Sequence, residues 1–168
     1  NVIGLKMGKP MLSSYFPFAL GIKDVGQFLA DYVSKYQLPM NTGHLTGHPP
    51  LPTLFYYFIQ QFISKSPQTA GLIFGFLSAF TVIPVYYIAR LITANKKAAY
   101  LAAIFFALTP NSMILSVSGI DAFTVLFMAS SFALFLGAVK NRNLMAMFFS
   151  GFMFALATYC LLYTSDAA

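Results

Sequence analysis

Apolar residues gather in long blocks along this chain, and their spacing predicts helices from end to end. Val25, Phe28, Leu29, Tyr32, Val33 and Tyr36 recur at i, i+3, i+4, i+7, i+8 and i+11, while Lys23, Asp24, Gln27, Asp31, Ser34 and Lys35 take the other side. This pattern predicts an amphipathic helix over about residues 23–37, ended by Pro39. Seven residues turn an ideal helix through about 700°, so Asp24 and Asp31 project within about 20° of each other. The turn-rich run Asn41-Thr-Gly-His44-Leu-Thr-Gly-His48-Pro-Pro50 reads as a loop. An aromatic segment over about residues 50–64 follows, including Gln60-Gln61. Its reach of about 22 Å is too short to cross a bilayer comfortably, which predicts a helix lying in the headgroup layer.

Four uncharged stretches then approach the roughly 20 residues that a hydrocarbon core requires. They predict spans over about residues 70–92, 98–118, 122–139 and 144–163. Pro84 and Pro110 would break soluble helices but are tolerated in spans. The expected fold class is all-α: a polytopic transmembrane protein with external amphipathic juxtamembrane helices in residues 1–69 and spans in residues 70–163. With the short aromatic helix lying on the membrane, Arg90, Lys96, Lys97, Lys140 and Arg142 fall on one side, as cytoplasmic cations do. Residues 1–69 and Asp121 then share the opposite, external face.

Composition agrees with a membrane and narrows the chemistry. Of 168 residues, 58% are hydrophobic and 8% charged, with 19 Phe and a mean hydropathy of +0.72. A soluble domain carries about 25% charged residues. A disordered chain and a secreted disulfide scaffold are both excluded, the second because Cys160 is the only cysteine. The net charge of +6 is scattered, with no basic run longer than Lys96-Lys97, so a nucleic-acid footprint is missing. Residue 1 is Asn, which points to a piece of a longer chain; Met11–Ile22 lacks the pattern of a signal peptide. Residues 160–168 read as a translated adapter tail, which removes Asp166 from consideration.

Four Asp and no Glu leave each carboxylate to be weighed singly. Asp24 sits at the start of the amphipathic helix, as a helix cap or as a functional acid. Asp31, on the polar face, reads as a solvated residue. Asp121 follows Ser118-Gly-Ile and opens the third span, where an N-cap and a site acid are equally compatible. His44 and His48 are four apart but separated by turn residues, and no Glu completes a zinc-protease pattern.

The order of these pieces carries more than any one of them. An acid opens an external helix, and His48-Pro49-Pro50-Leu51 leads into an aromatic surface helix. A span ending Ala89-Arg90-Leu91, a span with Ala107-Leu-Thr-Pro110, and Ser118-Gly-Ile-Asp121 follow. Over about residues 15–158 this resembles the amino-terminal part of the GT-C glycosyltransferases, in particular the dolichyl-phosphate-mannose-protein mannosyltransferase-like family. That family has an additional span before its external loop and many beyond the fourth seen here.

The resemblance implies an integral membrane enzyme that moves a sugar from a polyprenyl-phosphate carrier to an acceptor hydroxyl, with inversion, on the extracytoplasmic face of the plasma membrane. The acceptor is a glycan, lipid or protein. The resemblance also implies that Asp24 is the general base, while Asp121 and His48 line the cavity. The family pattern often places Asp-Glu where this chain has Asp24-Val25, so the second carboxylate is missing there and a divalent metal cofactor is left open. The competing reading is a non-catalytic polytopic protein such as a lipid or glycolipid transporter. Spans and basic loops fit that reading equally, but the Asp-bearing external helix and His-Pro-Pro-Leu do not call for it.

Overall fold

A computed structural model describes residues 12–32, 49–109 and 121–160, without the side chains of residues 12–14 and 121–123. Every regular element among the described residues is helical: α1 (Leu12–Leu20), α2 (Val25–Asp31), α3 (Leu51–Phe62), α4 (Pro67–Ala79), α5 (Val82–Thr93), α6 (Lys96–Leu108), α7 (Asp121–Asn141) and α8 (Leu144–Cys160). The chain divides into two compact units, the first spanning Asn1–Leu72 with Tyr159–Ala168 and the second Ile73–Thr158.

In the first unit α1 packs against α3. The Tyr56 ring stacks on Tyr15 at 6.5 Å between centroids and meets Phe16 edge-on at 5.9 Å. Gln60 lies buried on the same side of α3 and donates through Nε2 to the Phe16 carbonyl at 2.8 Å. A buried amide needs such a partner, and this one ties the two helices together. α2 is held by a small core of Phe28, Tyr32 and Leu54, with Phe18, Ile22 and Val25 packed around it. Apolar positions on the three helices thus converge: Val25, Phe28 and Tyr32 of the amphipathic period pack on protein, while Leu29 is 44% exposed. The α1 helix was not predicted: Pro17, inside it, reads as a breaker in sequence, yet the helix continues through it.

In the second unit α5 packs against both α6 and α7. Tyr86 and Tyr100 meet across α5 and α6 at 5.0 Å. Two buried serines join α7 to α8: Ser131 Oγ donates to the Ser150 carbonyl at 3.0 Å, and Ser150 Oγ returns the bond to the Ser131 carbonyl at 2.9 Å. In a bilayer, where water cannot satisfy a hydroxyl, reciprocal bonds of this kind hold neighbouring helices together.

The runs Pro67–Thr93 and Thr124–Asn141 are long and apolar enough to cross a membrane, and Leu144–Cys160 is a shorter apolar helix. Their outward faces are apolar: Phe76 is 68% and Phe148 69% exposed. Such surface needs lipid or further protein to cover it. Pro84 explains the break inside the first run. It cannot donate to the Phe80 carbonyl, and the chain instead tightens to three-residue bonds, Phe80 N to Leu77 O (3.1 Å), Thr81 N to Ser78 O (3.0 Å) and Ile83 N to Phe80 O (3.0 Å).

Two helix turns in this unit share one construction. Ala94 (φ 54°) and Arg142 (φ 51°) adopt the left-handed conformation, and the Asn after each caps the next helix. Asn95 Oδ1 accepts from Lys97 N at 2.9 Å, and Asn143 Oδ1 from Met145 N at 3.0 Å. Leu91 of α5 and Asn141 and Asn143 of the α7–α8 turn line one cleft, so both turns lie at the same end of the unit. Arg90, Lys96, Lys97, Lys140 and Arg142 are carried on or beside these turns.

Candidate functional site

Asp24 is the N-cap of α2. Its backbone is extended (φ −136°, ψ 124°), and its carboxylate Oδ1 accepts from Gln27 N at 2.6 Å. The sequence makes this easy, because Asp is among the best capping residues and Gly26 leaves room for the side chain to fold back. A Cβ built on Gly26 would come within 3.2 Å of Asp24 Oδ1. One carboxylate oxygen is therefore fixed by the backbone, and the group as a whole is exposed.

The cleft beside it holds about 390 Å³ and is lined by Lys23, Asp24, Gln27 and Asp31 over a floor that includes Pro17 and Phe18 of α1. Asp31 is half-buried here. The sequence reads it as a solvated residue of the polar face, and that face, with Lys23, Asp24 and Gln27 exposed, borders α1 across the cleft. The seven-residue offset that aligns Asp24 and Asp31 on one side of a helix brings both to a single cleft. A second carboxylate thus lies two turns further along the same helix, not at the residue after Asp24.

Tyr32 and Tyr56 of the same unit are buried. Burial pushes the Tyr32 and Tyr56 hydroxyls up to about 12, so both are neutral at any physiological pH.

The other expected site residues are placed less fully. Asp121 opens α7, in the second unit, and its side chain is not among those described. His48 and His44 lie outside the described residues, although Pro50, two residues after His48, is the N-cap of α3. The structure thus brings Asp24 together with Lys23, Gln27 and Asp31, all within the first unit. Among the described residues no group of three His, Cys, Asp or Glu gathers as a metal site does.

Comparison with curated proteins and with solved structures returns no match. Comparison with family models does return one: the family described as dolichyl-phosphate-mannose-protein mannosyltransferase matches residues 47–163. The matched stretch includes His48-Pro49-Pro50 and Asp121 and begins after Asp24 and Asp31. It also takes in α3 to α8, among them the two runs long and apolar enough to cross a membrane. Because that match covers well over half of the chain, and two of the described helical runs within it are long and apolar enough to cross a membrane, the protein belongs to the dolichyl-phosphate-mannose-protein mannosyltransferase family.

Proposed function

We propose that this chain is part of a membrane glycosyltransferase that moves a sugar from a polyprenyl-phosphate donor to an acceptor hydroxyl on the extracytoplasmic face, with Asp24 as general base. The family supports a mannosyltransferase-like activity in a membrane. The observation that carries the assignment to Asp24 is the cleft it shares with Lys23, Gln27 and Asp31.

An alcohol is a weak nucleophile at neutral pH until a positioned base takes its proton. Asp24 is positioned in that sense, with Oδ1 held by Gln27 N. The acceptor oxygen attacks the anomeric carbon as the proton passes to the Asp24 carboxylate. The bond from that carbon to the phosphate oxygen breaks, and the polyprenyl phosphate leaves from the opposite face of the sugar. This single displacement inverts the anomeric centre. Asp31 accepts hydrogen bonds from sugar or acceptor hydroxyls in the cleft, and Lys23 supplies positive charge toward the departing phosphate. A lipid-borne donor also removes any need for a nucleotide-binding loop. Asp121 and His48 lie in the stretch that the family match covers, and the family resemblance is what assigns them to substrate binding.

The test is sugar transfer by membranes containing the full-length protein, comparing Asp24→Asn with the parent. Asn keeps the cap on α2, so the fold is preserved while the base is lost. Transfer is expected to fall by about a hundredfold or more. Normal transfer by Asp24→Asn would remove the base from this position.

A further inference from the structure

The second unit carries a cleft that the proposed sugar transfer does not use. It lies among α5, α7 and α8, holds about 350 Å³, and is lined by Tyr87, Leu91, Leu134, Gly137, Asn141 and Asn143 together with two alanines. This size falls within the roughly 300–1,000 Å³ of ligand clefts. Gly137 keeps it open: a Cβ built there meets nothing within 4 Å.

The cleft is apolar along its length and polar at one mouth, where Asn141 and Asn143 flank Arg142. Lys140 precedes the first of these, and Leu91 of the lining follows Arg90. The neighbouring turn at the same end adds Lys96 and Lys97. The sequence of this unit, Ile73–Thr158, offers one acid to balance them, Asp121. The sequence holds no acid between Asp31 and Asp121, and Asp121 starts the 21-residue α7, about 30 Å from Asn141 along that helix. Exposed Tyr87 and Tyr100 add aromatic rings of the kind that settle at headgroup depth.

We propose that this cleft seats an acyl chain of an anionic phospholipid from the leaflet that contacts the two basic turns, with the lipid phosphate on Arg90, Lys140 and Arg142. An apolar slot, with three cations carried next in sequence to its lining residues Leu91, Asn141 and Asn143, matches the two halves of such a lipid, and basic recesses between membrane helices recognise anionic headgroups in this way. The site is independent of the sugar-transfer cleft, which lies in the other unit and contains no residue of this one.

The experiment is native mass spectrometry of the purified chain released from micelles doped with equal amounts of phosphatidylglycerol and phosphatidylcholine. One phosphatidylglycerol is expected to be retained about tenfold over phosphatidylcholine. Arg90→Gln combined with Arg142→Gln should abolish that preference. Gly137→Leu, or Ala133→Leu where the first does not fold, fills the slot and should abolish retention with the cations in place. Equal retention of the two lipids by the parent chain would overturn the proposal. So would undiminished retention by the slot-filling variant, since the cations would then be gathering lipid over an open surface. A polyprenyl phosphate that displaces phosphatidylglycerol from the same slot would also overturn it, by assigning the cleft to the donor lipid.

Discussion

At the scale of single residues, Asp24 has two jobs that substitution can separate. As a cap it accepts the Gln27 amide, and Asp24→Ala should cost α2 about 1 kcal/mol, whereas Asp24→Asn should cost only a few tenths. Chemical denaturation followed by tyrosine fluorescence reads the first quantity, and sugar transfer reads the second job. If the two variants lost activity only in proportion to stability, capping would account for the residue entirely. Gly26→Ala is a finer probe. Its methyl would press on Asp24 Oδ1 from 3.2 Å, so the carboxylate must shift by a few tenths of an ångström while the helix itself gains propensity. Transfer should drop several-fold with stability maintained.

The buried tyrosines give a pH signature at the same scale. Folding raises Tyr32 and Tyr56 to about 12, above the ordinary value near 10, so the folded state holds these protons more tightly. Their contribution to stability is complete below about pH 10 and is lost as the pH rises through about 12. Tyrosinate absorbance should therefore show a late step that disappears in the Tyr32→Phe, Tyr56→Phe double variant. A late step of unchanged size in that variant would mean that other tyrosines account for it.

At the scale of elements, legibility followed how local the cause was. The aromatic helix was readable because Pro50, Pro52 and the apolar run mark its start, and α3 occupies Leu51–Phe62 within the expected 50–64. Asp24 was readable as a cap because capping is settled within three residues. Asp31 was not, since a helical period says which side a residue faces but not whether another helix, here α1, lies beneath that side. Helix α1 escaped because Pro17 argues against a helix locally, while the packing of Tyr15 and Phe16 on Tyr56 comes from residues some 40 positions away. The Ser131–Ser150 pair was equally hidden: lone serines in apolar helices look ordinary until two helices are aligned.

The same elements give predictions of definite sign. Each serine donates to the other's backbone carbonyl, which an alanine substitution leaves in place. Ser131→Ala and Ser150→Ala should each cost about 0.6 kcal/mol, the double variant about twice that, and the coupling between them should be under about 0.5 kcal/mol. Unfolding in mixed micelles measures the cycle; a large coupling would show that the 3.4 Å contact between the two hydroxyls carries the pairing instead. At the α5–α6 turn two neighbours should respond oppositely. Ala94→Gly relieves a left-handed alanine at φ 54° and should stabilise by up to about 1 kcal/mol, while Asn95→Ala removes the cap and should cost about 1 kcal/mol.

At the scale of the whole molecule the question is which side of the membrane each turn occupies. The α5–α6 and α7–α8 turns lie at one end of the second unit and bring five cations with them, an excess that favours the cytoplasmic side. α7, 21 residues long, reaches about 30 Å, the thickness of the hydrocarbon core, so a crossing by α7 would put Asp121, at its start, on the other face. α3, with 12 residues, reaches only about 18 Å. If it lies on the surface, one crossing over Pro67–Thr93 separates Asp24 from the basic turns and puts it on the face of Asp121. In a Cys160→Ser background, single cysteines at positions 24 and 121 should then react with a membrane-impermeant maleimide from outside intact cells. Cysteines at positions 96 and 142 should react only after permeabilisation. Labelling of 24 and 121 from opposite sides would make α3 a crossing segment, and the two acids could not then serve one site.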